Sequence, residues 1–475
     1  MTVKLSSLSL GAYALFSLLA AGCSVGIDAV EGPGAEVRAL TGAHTRVVWV
    51  QGDGTDPRAS GDQLVLMGFD TDDGKGERVI LGKRGSYVKP LLTPRGNRIV
   101  FSRRTVPGPP EAFIVNWDGT GLRKIAGGHA LALWENPADG SEWVYVGTDN
   151  KKLDFSTVTR FPIDAPAKSE LVWNKSLVST ESFQVSADGR HAGGQFPFPR
   201  AGVAELPNGQ MKRLGEGCWT ALTSARGPLF WYFDGAHRNL TMVDVDTDAR
   251  WMVNINHAPG FNGAEVFHPR WTNHPRFLVI SGPYNQGGAN QARTGGKQAE
   301  VYLGRFSEDF SKVEAWARVT NNSGGDSYPD VWIDAARSPY PRRPRGRIGP
   351  PMAAKSATGR PAGSPEAGRL VINVRLTRPG PIPTPQAILP YRAALVVNEY
   401  RILDVITGTY AERTIPIAQW AIRNGRELAQ ARKMAGAAFT LTVERYDAHP
   451  ELEGERLISG SAASNLPLYY DVGQP

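Results

Sequence analysis

Cysteine is almost absent. Two cysteines in 475 residues, Cys23 and Cys218, cannot staple a chain of this length, so burial must hold it together rather than cross-links. Several reaction signatures are missing too. There is no C-x-x-C, no H-E-x-x-H and no phosphate-cradling P-loop, which removes the dithiol, zincin and nucleotide-hydrolase classes in their usual form. G-x-S-x-G occurs once, at Gly22–Gly26, where it ends the N-terminal apolar run rather than joining a strand to a helix as a nucleophile elbow does. Long apolar runs are missing after Gly22, and the stretch Leu5–Gly22 is short for a stable membrane span of about 20 residues. Acidic residues are scarce in one segment: Arg337, Arg342, Arg343, Arg345, Arg347, Lys355 and Arg360 face Glu366 alone, so most of the net charge of +7 sits there. That segment is Pro-rich and without apolar periodicity. The basicity therefore belongs to a solvated linker rather than to a folded nucleic-acid face.

Turns are what the chain has in quantity. It holds 53 glycines, 35 prolines and 12 tryptophans, the composition of many short strands. The clearest stretch is Tyr87–Gly127. Apolar runs at Arg98–Phe101 and Ala112–Asn116 are set off by the turns Pro94-Arg95-Gly96-Asn97 and Asp118-Gly119-Thr120-Gly121, and a third run, Leu122–Ile125, follows. That reads as hairpin-linked antiparallel strands.

Asn116-Trp117-Asp118-Gly119-Thr120-Gly121-Leu122-Arg123 resembles the second half of a blade of the TolB-like β-propellers. Thr93-Pro94-Arg95-Gly96 stands where that family has S-P-D-G, and Ser186-Ala187-Asp188-Gly189 is a nearer copy. The resemblance implies an all-β fold, and a repeat of roughly 35–55 residues recurs six times between Thr45 and Val319. Ser327-Tyr328-Pro329-Asp330-Val331-Trp332-Ile333 opens like a blade but has no strands after it. The first unit, 45–81, lacks an innermost strand. Pairing residues 326–333 into that unit closes a six-bladed ring and removes its free edge; seven blades is the alternative.

At the N-terminus, Lys4 precedes the uncharged run, and Leu18-Leu19-Ala20-Ala21-Gly22-Cys23 resembles a bacterial lipobox. The resemblance implies a lipoprotein signal over residues 1–22, Cys23 carrying lipid, and attachment to a membrane of the cell envelope. Plain secretion with Cys23 incidental, or an uncleaved anchor, are the alternatives. Residues 23–43 read as a flexible tether, 44–335 as the propeller and 336–367 as an extended linker. Residues 368–475 carry about five strands and read as a small barrel or sandwich, similar in order to OB-like barrels.

For chemistry, the densest polar cluster is His257, Glu265, His268, Arg270, Trp271, Asn273 and His274. In propellers the innermost strands line the central channel, so these residues are candidate ligand-lining groups. By analogy with propeller lyases of pectin fragments, His257, His268 and His274 would ligate a divalent metal; hydrogen bonding between blades is the plainer reading, with no cofactor. Cys218 has no activating neighbour in sequence and reads as a buried free thiol. The turn Asp70-Thr71-Asp72-Asp73-Gly74 misses the spacing of a calcium loop. Two functions stand at this point. One is a non-enzymatic binding module for an envelope protein or a cell-surface polysaccharide, with no nucleic acid. The other is a polysaccharide-active enzyme.

Overall fold

In the computed structural model the described residues are 33–473, apart from 57–58, 105–107, 152–153, 224–227, 234–236, 256–257, 262–264, 285–296, 298, 342–347, 350–368, 389–392, 450–451, 453–454 and 460–465. Cys23 and the predicted signal lie outside them, as does His257. Six four-stranded antiparallel units follow one another. Blade 1 joins Gly325–Ile333 to Thr45–Gly52, Leu64–Asp70 and Arg78–Gly85. Blade 2 runs from Val88–Leu92 to Arg123–Gly127, and blade 3 from His129–Glu135 to Glu170–Trp173 with a short extra pairing at Val178–Ser179. Blades 4, 5 and 6 open at Gln184–Val185, Cys218–Leu222 and Glu265–Trp271.

The ring closes as the sequence predicts. Thr45 pairs with Ile333 and Gly52 with Gly325 in one antiparallel ladder. Side chains lock the seam. The Trp49 indole donates to Asp326 at 2.9 Å, and Asn273 of blade 6 bonds both the N–H and the carbonyl of Ile333 at 2.8 Å. Each junction between neighbouring blades has its own apolar core. This explains the patterning. A second strand such as Leu229–Phe233 is buried at every position because a blade covers each of its faces, as in buried parallel sheets. The outermost strand Arg250–Asn254 alternates, being covered on one side. The turn glycines are used twice. Gly96 has φ +70°, and a Cβ there would lie 2.4 Å from Trp332; Gly189 has φ +70° and would meet Trp134 at 2.6 Å. Each turn thus bears on a tryptophan of the preceding blade, which only glycine permits.

Three segments differ from the sequence-based expectation. The tether holds a helix, α1, Pro33–Thr41, with proline at its start and Gly42 (φ +66°) just past its end. Its Val37 and Leu40 are buried against blades 1 and 6. The linker does not leave the propeller at residue 336. The Ser338 hydroxyl bonds the carbonyl of Thr41 at 3.0 Å, Tyr340 packs on Phe277, and Ile348 joins the core between blades 5 and 6. At the C-terminus, Leu370–Arg378, Ala394–Thr407, Thr414–Arg423 and Ala438–Arg445 match the expected strands, but a further one, Tyr469–Asp471, completes the sheet. Following the pairings from the first strand gives a closed ring of five in the order 1-2-3-5-4, with the third and fifth strands parallel. This is the OB-like arrangement. Gln419 ties it from inside: its amide accepts from Asn398 at 2.8 Å and Tyr400 at 2.6 Å and donates to Asp471 at 2.6 Å.

The seam carries a pH-sensitive group. Burial, then the nearby Glu300, raises the Asp326 carboxyl from 3.8 to about 6, against hydrogen bonds from Gln51, Thr320 and Asn322. A carboxyl raised on folding adds stability that is full below about pH 4 and lost as pH rises through about 6. We expect the wild type to gain about 2–3 kcal/mol over Asp326→Asn between pH 7.5 and pH 4. Urea melts at the two pH values measure this; a constant difference would show that Asp326 titrates normally.

Candidate functional site

The six innermost strands run side by side around the axis. Four of them bulge at the same level. Lys89, Trp219, His268 and Tyr328 have φ of 51°, 51°, 52° and 52°, and each lies where the register of its strand shifts. Three are followed by proline: Pro90, Pro269 and Pro329. A left-handed non-glycine residue costs on the order of 1–3 kcal/mol and persists only where its surroundings hold it. Here the gain is that all four side chains turn into the narrow end of the channel.

They close it. Nζ of Lys89 donates to the carbonyl of Thr180 at 2.9 Å. The Tyr328 hydroxyl donates to Glu181 at 3.0 Å. The His268 ring lies 3.9 Å from that of Tyr328 and 4.9 Å, edge-on, from Trp219. Thr180 and Glu181 immediately precede blade 4, so blades 1 and 2 reach across the mouth to the opposite side. The space left is about 20 Å³, room for little more than a water. Burial disfavours the charged forms: His268 falls to about 3, and Lys89, with Arg270 also close, falls well below the usual lysine range.

One step further in, Arg270 and Asp330 meet, Nε to Oδ1, at 2.8 Å. The N–H is not aligned on the oxygen, so the contact is ionic rather than a directed hydrogen bond. The other Asp330 oxygen accepts the Leu92 amide at 2.8 Å. Burial pushes the Asp330 carboxyl up and Arg270 pulls it back. Above this layer Gln184 of blade 4 reaches across to blade 6, donating to the Trp271 carbonyl at 3.3 Å. The channel then widens to a cavity of about 460 Å³ at the C-terminal ends of the strands, lined among others by Glu135, Ala187, Asn273 and Asp334. That is the size of a small-ligand site.

The predicted site residues separate on this axis. His268 and Arg270 do share the narrow end of the channel, with Lys89, Glu181 and Tyr328, and Arg270 continues with Asp330 into the wide end. Trp271 borders the wide cavity, and its buried ring lies tilted against that of Trp231, with 4.3 Å between ring centres. The backbone of Glu265 begins the blade 6 strand, and its side chain lies outside the described positions. His274 is at the far end of that strand. Its Nδ1 accepts the Arg276 amide at 3.2 Å and its Nε2 meets the Tyr340 carbonyl at 3.2 Å. At about 3.3 Å per residue of strand, His268 and His274 do not come together. Among the described residues the grouping with metal-ligand spacing is His44, Asp70 and Asp72, at the turn read above as a poor calcium loop. Arg46 already pairs with Asp70 at 2.8 Å, and Arg38 with Asp72, so cations occupy those carboxylates.

One chemical neighbour is missed by the sequence. The Cys218 sulfur lies 3.0 Å from Nε2 of His237, with both side chains buried. Cys218 pairs across to Phe233, so the signal was a histidine just past the hairpin partner. Burial lowers His237 to about 3, which keeps the imidazole neutral and disfavours a thiolate partner. The pair lines neither end of the channel.

No protein-family model and no curated protein matches this sequence. Among solved structures the chain is similar to TolB from Acinetobacter baumannii, with a TM-score of 0.43 and 16% identity over 63% of this chain and 70% of that one. It is also similar to the Kuenenia stuttgartiensis hydrazine synthase, with a TM-score of 0.42 and 12% identity over 66% of this chain and 49% of that one. A third is an oligogalacturonate lyase in complex with manganese, with a TM-score of 0.27 and 15% identity over 52% of this chain and 55% of that one. The chain spans about half the length of the last two. The six blades follow from the strand pairing itself.

Proposed function

We propose that this protein is a binding module of the bacterial cell envelope, lipid-anchored through Cys23, that takes a protein or glycan partner at the wide end of its propeller channel. One observation carries the reading: the channel is blocked at one end by Lys89, Tyr328 and the turn they grip, and open at the other to a cavity of about 460 Å³. A channel of that form receives a ligand without passing it through. The candidate envelope address rests on the lipobox resemblance; no helix among the described residues is long and apolar enough to cross a membrane. The buried Cys218–His237 pair stands away from the cavity, so no observation favours the enzymatic reading over this one.

Ala187 is exposed at the rim, and Ala187→Trp fills part of the cavity while leaving its backbone bond to Trp134 in place. Retention of purified envelope proteins and of surface polysaccharide on the immobilised chain should fall at least about tenfold in this variant, as for a blocked contact worth about 1.4 kcal/mol or more. Equal retention by variant and wild type would remove the wide end as the binding site.

A further inference from the structure

We propose that the floor of the wide end is a sugar-binding site, in which Arg270 and Gln184 hold adjacent hydroxyls of an uncharged oligosaccharide. The inference rests on the wide end being where the ligand enters. It starts from charge. Along the channel the carboxylates are Glu135, Glu181, Asp330 and Asp334, and the cations are Arg270 and Lys89, whose charged form burial disfavours. Asp334 also pairs with Arg337 at 3.3 Å. An anionic ligand would therefore enter against an excess of negative charge. A cationic one would be drawn to the rim but would meet Arg270 at the floor. An uncharged ligand meets neither penalty.

Hydrogen-bonding capacity then narrows the class. Arg270 contacts Asp330 through Nε and lines both cavities, and its guanidinium carries further donors that this contact does not use. Gln184 has the reverse need: Oε1 has no partner, and its one bond, to the Trp271 carbonyl, is 3.3 Å long, beyond the usual range. The amide can exchange that long bond for a ligand hydroxyl at small cost and bring Oε1 to it. A floor with a donor and an unsatisfied acceptor side by side calls for a ligand whose neighbouring groups both accept and donate. A vicinal diol does this with either hydroxyl in either role. The rim continues the pattern with the acceptors Glu135 and Asp334, so a chain bearing many hydroxyls matches more of the cavity than a single carboxamide does. Neutral sugars are the class with that repeat.

The test uses the full chain and defined probes: maltohexaose, cellohexaose and the hexamer of N-acetylglucosamine, against hexagalacturonate and a lysine-rich hexapeptide. Saturation-transfer NMR and calorimetric titration read binding to wild type, Gln184→Leu and Ala187→Trp, with thermal melts to confirm that each variant is folded. At least one neutral hexamer should bind, Ala187→Trp should abolish it, and Gln184→Leu should weaken it about tenfold or more, the loss expected when a buried polar contact is removed. Hexagalacturonate and the peptide should bind more weakly than the neutral probe. If no neutral hexamer binds, or if Gln184→Leu binds it as well as wild type, the sugar site is wrong. If the acidic sugar or the peptide binds best and Ala187→Trp removes that binding, the wide end stands as the ligand site and the sugar assignment falls. Binding that survives Ala187→Trp overturns both.

Discussion

A chain spanning residues 33–324 should fail to melt cooperatively, while one spanning 33–349 should melt as a folded propeller. The two differ by 25 residues, among which Gly325–Ile333 supplies the innermost strand of blade 1. Without it Val331 and Ile333 leave the core shared with blade 6, and Trp49, fully buried in the intact ring, faces solvent with its indole unpartnered. Each large apolar side chain uncovered costs about 1.5–3 kcal/mol, and Asn273 and Arg270 lose their partners as well. Together these approach the whole stability of about 5–15 kcal/mol typical of a domain. Calorimetry and dye binding to exposed apolar surface decide the matter. Similar sharp transitions in both chains would show that the ring holds without its closing strand.

The second large effect concerns the channel. Arg270→Met should destabilise the propeller by about 3–5 kcal/mol, a fall in Tm on the order of 10 °C, because it leaves the Asp330 carboxylate buried beside a single amide donor. The sign of the pH dependence follows. With Arg270 gone, the folded-state pKa of Asp330 rises further above its unfolded value, so the deficit should shrink in acid and grow as pH rises from 5 to 8. Removing both charges in Arg270→Met/Asp330→Leu should recover most of the loss, since two apolar groups of similar volume replace an ion pair that paid for its own desolvation. Denaturant titrations of the three proteins at two pH values test this. A single variant as stable as wild type, or a double variant no better than the single, would show that the pair is not what holds this layer.

How much of this was legible in the sequence depended on the range of the interaction. The blades were readable because a hairpin is local: Pro94-Arg95-Gly96-Asn97 and Asp118-Gly119 announce turns that need no partner from elsewhere. The closure was readable because Ser327–Ile333 was a strand without a blade and residues 45–81 a blade without a strand. The helix α1 was not, since its burial depends on blades 1 and 6 and its own sequence carries few apolar residues. Tyr469–Asp471 is three residues long and is fixed by partners rather than by propensity. The site was legible only as a region. Sequence proximity grouped His268 with His274, but a strand carries neighbours apart along its length. The partners that matter came from far away: Thr180 is 91 positions from Lys89, and Glu181 is 147 positions from Tyr328. No local pattern encodes those contacts, and left-handed residues such as Lys89 give no compositional sign of their conformation.

The seam of blade 1 also decides how the molecule bears a load. Thr45 and Ile333 are paired at the same end of their ladder, so the chain enters and leaves the ring side by side. Tension between the two exits would peel the ladder one bond at a time, the weakest direction in which to pull a sheet. The contacts just outside it lie across that line: Ser338 on the Thr41 carbonyl, Pro339 against Gly42, and Arg305 reaching both the Leu40 carbonyl and the Tyr340 hydroxyl. They act as a buckle over a zip. If the proposed lipid anchor holds the chain at its N-terminal end, a tug on the C-terminal domain passes through that buckle and bypasses the remaining five blades.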